Sequence, residues 1–171
     1  MRENPPPAPI RRRKQGCHMN NPDPIAAAIH ETWRALSAAQ GWRMQPHLDR
    51  SYADLAEPDK EDNRAAARRM ADVLSRARLT LSSDPAAVSV PPATIEAAIE
   101  VMAAAEHKGW MAHRAANGWT HAPVRNDAAK QHPSMIEYKD LAEAEKEKDR
   151  NNVRHYPEFA ARAGLKIVPL A

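Results

Sequence analysis

A chain of 171 residues with 43% hydrophobic but only 5% aromatic side chains fits one domain, or two small ones sharing a core held by a few large residues. No stretch approaches ~18 consecutive apolar residues, no apolar segment follows the basic start, and the single cysteine, Cys17, excludes an internal disulfide; these features predict a cytoplasmic protein without a membrane partner. The formal net charge of +3 comes from one end, because Arg2, Arg11, Arg12, Arg13 and Lys14 against Glu3 give residues 1–14 a charge of +4, which leaves 3 − 4 = −1 for the rest.

Residues 1–22 read as a disordered, basic, Pro-rich tail, with Met19 as an alternative start. Its RRRK run favours a solubilising role over nucleic-acid contact. The first structured unit spans 23–81. Asp23 is expected to cap a helix with Pro24 at its first position, and Ile25, Ile29, Trp33 and Leu36 form one apolar stripe. Gly41 stops the helix and Trp42 packs back on it. A second helix opens at Pro58 and runs to about Arg76, and RLTL (78–81) reads as a strand.

Residues 82–93 form a Pro-rich linker and 94–171 a second unit. There one long helix is predicted from Thr94, as cap, to Asn117, with Ile95, Ile99, Met102, Glu106 and Trp110 near one face. Gly118 and Trp119 end it as Gly41 and Trp42 end the first. A loop leads to a charged helix that Pro157 should kink or divide, Gly164 stops it, and LKIV mirrors RLTL.

The two units repeat one another. IHETWRALSAAQGW (29–42) and EHKGWMAHRAANGW (106–119) share His, two residues, Trp, seven residues, Gly-Trp. Pro46 matches Pro123 at the same offset of 77. After a nine-residue insertion the offset becomes 86, aligning YADLAE with YKDLAE, Lys60 with Lys146, Arg64 with Arg150 and Leu79 with Leu165. The expected fold is therefore mainly α: two helix–loop–helix repeats with short strands, related by an approximate two-fold axis.

The second copy carries W-x3-R-x3-GW, then APVRNDAAKQHP, then EYKDLAEAEKEKDR. In that order it resembles the ryanodine-receptor (RyR) repeat domain, found in tandem in those calcium channels and as small bacterial or phage proteins and modules. The first copy keeps H-x2-W, GW and Tyr-x2-Leu but lacks the RNDAAKQHP insertion. The resemblance implies a helical, regulatory, ligand-binding module. It also implies an adenine-containing or NAD-derived nucleotide held between the halves against H-x2-W tryptophans.

Trp33 and Trp110 lead the candidates, either as two faces sandwiching a purine, worth roughly 1–3 kcal/mol per stacked base, or as core residues. His30 and His107, one turn before them, read as polar packing partners. Arg114 lies one turn after Trp110, and Arg125, Lys130 and His132 sit in the insertion; they would meet phosphate oxygens or form solvated surface. Trp42 and Trp119 read as structural, and the run EAEKEKDR as a solvated helix face with intrahelical ion pairs, with buttressing of the preceding loops by the repeated Arg64 and Arg150 as the alternative. No Gly-rich phosphate loop, G-x-S-x-G elbow or H-E-x-x-H stretch is present, so neither catalysis, a metal nor a cofactor is expected. The rival is a protein-interaction module with purely structural repeats. Nucleic-acid contact through RRRK predicts steeply salt-dependent binding, lost on deleting residues 1–18; gel-shift measurements across a salt series check it.

Overall fold

The computed structural model describes residues 21–171. Nearly all of the basic tail, including RRRK, Cys17 and the alternative start at Met19, lies outside the described residues.

Helix α1 spans Asp23–Gln40. Asp23 does not cap it: Pro22 holds the N-cap position, and the Asp23 N–H donates to Asn21 Oδ1 at 2.9 Å. A proline before the first helical residue leaves the side chain upstream to satisfy that amide. The Asp23 carboxylate is used elsewhere, as described below. Gly41 ends α1 at φ +66° and Gly118 ends a later helix at φ +81°, a conformation that glycine adopts without a Cβ clash. In both cases the next N–H turns back, Trp42 to the Ser37 carbonyl at 2.9 Å and Trp119 to the Arg114 carbonyl at 3.0 Å.

A short helical turn at Tyr52–Asp54 leads into α2, Glu57–Arg76, and then strand β1, Leu79–Ser82. The long helix expected from Thr94 is two helices, α3 (Pro92–Ala97) and α4 (Ile99–Ala116). Pro91 is extended and Pro92 takes the first helical position, so Thr94 lies inside α3 and not at its cap. The Val90 N–H donates to the Ile167 carbonyl at 2.8 Å, which fixes the entry of α3, and the chain bends at Ala98 (φ −112°, ψ 12°) to join α4.

The segment after α4, expected as a loop, forms two two-residue parallel strands, β2 (Thr120–His121) before the insertion and β3 (Gln131–His132) within it. A second short turn, Tyr138–Asp140, precedes α5, Glu143–Arg154. Pro157 divides the charged helix, with α6 (Tyr156–Arg162) starting beyond His155. Strand β4, Lys166–Pro169, pairs antiparallel with β1, setting Leu81 opposite Ile167. The fold is mainly α, as expected.

Helix α2 lies against both α1 and α4, α4 against α5, and α1 against α6. Ile25, Met70, Leu74, Ile95, Met102, Phe159 and Ile167 are all at most 2% exposed and belong to one apolar cluster drawn from both halves of the chain. Burying such side chains contributes roughly 1.5–3 kcal/mol each.

One carboxylate sits among them. Glu106 accepts from Arg69 Nη2 at 2.6 Å and from the Tyr156 hydroxyl at 2.9 Å, linking α4 to α2 and α6. Beside it, Gly109 presses on the Arg69 side chain so closely that an added Cβ would overlap Arg69 Cδ. Alanine at an exposed helical glycine gains about 1 kcal/mol. Gly109→Ala is expected to lower the melting temperature instead, because Arg69 must leave Glu106. In an Arg69→Ala background the same change should stabilise. Thermal denaturation of the four proteins checks the reversal.

Candidate functional site

The histidines of the H-x2-W motifs are buried and committed to backbone. His30 Nε2 donates to the Arg50 carbonyl and His107 Nε2 to the Ile136 carbonyl, both at 2.8 Å. Other contacts recur at the same two offsets. Tyr52 donates to Asp23 at 2.9 Å and Tyr138 to Glu100 at 3.2 Å. Arg64 pairs with Asp23 (2.5 Å) and Glu57, and Arg150 with Glu100 (2.6 Å) and Glu143 (2.9 Å). Each guanidinium ties the start of α2 or α5 to the preceding long helix, bracing the loop between them.

His107 differs from His30 in one respect. Its Nδ1 lies 3.2 Å from Asp149 Oδ2, whereas the matching position near His30 is Asn63. Burial opposes charge on His107, but the Asp149 carboxylate and the Ile136 carbonyl outweigh it and raise its pKa. Its ring stacks on Trp110, with centroids 5.4 Å apart and planes 29° apart.

All four indoles are half-buried. The structure gathers Trp110, Trp119, His107, His132 and Arg114 into one cluster. His132 meets Trp110 edge-on at 5.2 Å and Trp119 at 6.4 Å. The Arg114 guanidinium lies 4.8 Å from the Trp119 ring and 5.9 Å from Trp110, within the range of cation–π attraction. Arg114 also pairs with Asp62 of α2 at 3.1 Å, as His113 does at 2.8 Å. His132 accepts the Ser134 N–H on Nδ1 at 3.0 Å, which leaves Nε2 as the protonated nitrogen. Burial, then Arg125 and Arg114, push its pKa down to about 4, so it is neutral near pH 7.

Trp33 and His30 lie apart from that cluster in their contacts. The aromatic partner of Trp33 is Trp42, at 5.2 Å, and Lys148 of α5 sits 5.5 Å from the Trp42 ring. Arg125 is paired within its loop to Asp127 at 2.7 Å. Lys130 has a positive φ of 52° and donates to the Asn117 carbonyl at 2.9 Å, completing the end of α4. Its position is structural. Trp119, Asp62, Asp149 and Lys148 were not among the sequence candidates. A tryptophan after a helix-ending glycine and charges in a solvated-looking run carry no local sign of such partners.

Two shallow surface concavities, of about 280 and 290 Å³, are centred away from the indoles. One is lined by Ile95, Glu96, Arg154 and Pro157, the other by His107, Lys108, Met111 and Tyr138. Trp33, Trp110 and Arg114 line neither.

Fold and site together define a mainly α module with indole-and-cation clusters, one of them fed by α2 and the other by α5. The RyR domain family matches residues 82–169, just over half of the chain, and the chain belongs to that family. No curated protein matches it. Among the described residues no helix is long and apolar enough to cross a membrane.

His132 makes the acid side of the stability curve testable. In the unfolded chain it takes a proton below about pH 6.5, and in the folded protein only near pH 4, so folding loses stability as pH falls through that window. Arg114 and Arg125 oppose its charge, while Glu145 and Asp127 favour it. His132→Gln should flatten the fall in melting temperature over that window; an unchanged slope would assign it to other groups.

Proposed function

We propose that this chain is a non-enzymatic, cytoplasmic ligand-binding protein, built from two tandem RyR-type copies, that takes an adenine-containing or NAD-derived nucleotide as sensor or sequestering protein. The observation that carries the reading is the Arg114 guanidinium set over Trp119 and beside Trp110, with neutral His132 edge-on to both. Half-exposed indoles offer stacking faces, and a guanidinium and a neutral imidazole N–H suit phosphate and ribose oxygens. The recurring histidine, tyrosine and arginine contacts support a tandem origin. The contribution of Lys148 to the Trp42 ring and of Asp62 to Arg114 supports placing the ligand where the halves meet.

A second reading, a protein-interaction module, has its own support. Each indole already has a protein neighbour, and the two shallow concavities described above reach neither Trp33 nor Trp110.

Indole fluorescence and thermal-shift titrations with ATP, ADP-ribose, cyclic ADP-ribose and cyclic dinucleotides separate the two. The nucleotide reading expects saturable quenching by at least one of them. Trp110→Ala is expected to weaken that binding by about 5- to 150-fold, the equivalent of roughly 1–3 kcal/mol of stacking, with only a modest fall in melting temperature. A core indole would instead cost about 3–5 kcal/mol of stability. No response to any of these nucleotides at millimolar concentration sinks the nucleotide reading.

A further inference from the structure

Matching the halves position by position isolates one place where their chemistry diverges. In the first half Glu31 Oε1 accepts the Tyr52 N–H at 2.8 Å, and Glu31 Oε2 pairs with Arg34 at 2.8 Å. Arg34 extends on toward Asp49 at 3.5 Å. A part-exposed carboxylate, paired with a guanidinium, thus bridges α1 and the Tyr52 turn.

The offsets of 77 and 86 carry Glu31 to Lys108, Arg34 to Met111 and Tyr52 to Tyr138. The frame around these positions is kept: His30 and His107 make the same bond to a loop carbonyl, and both tyrosine hydroxyls donate to a carboxylate on the preceding helical segment. The part-exposed carboxylate of Glu31 has no counterpart there. In its place lies the hollow of about 290 Å³, bordered by Lys108, Lys139, Met111, Tyr138, Glu137 and the edge of His107. Among the described residues neither Lys108 nor Lys139 forms an ion pair, and the Tyr138 N–H has no acceptor. Charge on this wall has changed sign, from Glu31 to Lys108, with no compensating acid at the position of Arg34.

We infer that this hollow is a subsite for a small organic carboxylate, whose oxygens take the place that Glu31 Oε1 holds in the first half and whose apolar body rests on Met111. Lys108 and Lys139 supply the counter-charge. Glu137 on the rim repels a second negative charge, which favours a monoanion over a phosphate dianion. The inference rests on the tandem correspondence of the halves and not on nucleotide binding at Trp110.

The test is a titration of the full chain, carrying ¹³C-methyl methionine and uniform ¹⁵N, with hexanoate and, separately, inorganic phosphate. Saturable shifts of the Met111 methyl and the Tyr138 amide are expected with hexanoate at millimolar concentration, and weaker ones with phosphate. Lys108→Glu installs the missing carboxylate, so it should abolish the hexanoate response and raise the melting temperature by about 2–4 °C. Lys108→Ala should lose the response without the stabilisation. The hexanoate response is expected whether or not any nucleotide quenches the indoles, so its failure and the failure of the nucleotide reading are read separately. Absence of a saturable Met111 shift in the parent protein overturns the inference, as does an undiminished response in Lys108→Glu.

Discussion

The buried carboxylate of Glu106 is the constraint around which the helices are arranged. Its side chain is about 5% exposed, and a carboxylate taken from water at such depth is tolerated only with partners that hold its charge and lone pairs. Arg69 and Tyr156 provide them from α2 and α6, so three helices must be in register before α4 is stable in place. Arg69 in turn needs the missing Cβ of Gly109 to reach across. The next residue, His107, turns instead toward α5, binding the Ile136 carbonyl and Asp149. One turn of helix therefore anchors both of its neighbours, and Trp110, stacked on His107, is positioned by that turn.

The paired guanidiniums Arg64 and Arg150 do a different job. Each reaches from its own helix to the acid at the start of the preceding long helix, Asp23 or Glu100, and to a glutamate at its own helix start, Glu57 or Glu143. The carboxylates are exposed by about half or more, so the single pairs are worth little, and the value lies in bracing a loop at two points. Both loops carry the backbone that the motif histidines hold. What the braces hold is not the same in the two halves. The second half has Asp149 where the first has Asn63, and Lys108 where the first has Glu31. A common frame thus carries two different electrostatic environments.

Much of the frame was legible in the sequence because it depends on local chemistry. Gly-Trp at 41–42 and 118–119 marks helix ends through a left-handed glycine, and Pro157 divides a helix because it lacks an N–H. The offset of 86 sets Arg64 against Arg150 in the sequence, and each guanidinium makes the corresponding pair of contacts. What could not be read depends on tertiary partners. No glycine or proline marks the bend at Ala98, which follows from the tie between Val90 and β4. Glu106 in an apolar stripe was a signal of a buried pair, but Arg69, 37 positions away, has no sequence mark that sets it apart from neighbouring Arg68. Lys130 looked like a free cation in a basic loop and is bound to a helix end. Lys148 looked like one charge among many and lies over an indole from the other half.

Arg114 shows how these constraints meet at the site. Its Nη1 is paired with Asp62, and its Nε is sealed from solvent without a partner, so the guanidinium does not present its full fork. A ligand anion approaching Trp110 and Trp119 meets a cation already half-neutralised from α2. Binding there must either share Nη1 with Asp62 or use Nη2, which has no partner among the described residues. In either case the anion lies close to the Asp62 carboxylate, and their repulsion offsets part of the attraction to Arg114. The stacking faces of the indoles carry no such opposing term. A nucleotide bound here as proposed would therefore be held by its base more than by its phosphate, and the electrostatics of the cluster would act mainly on where the phosphate points.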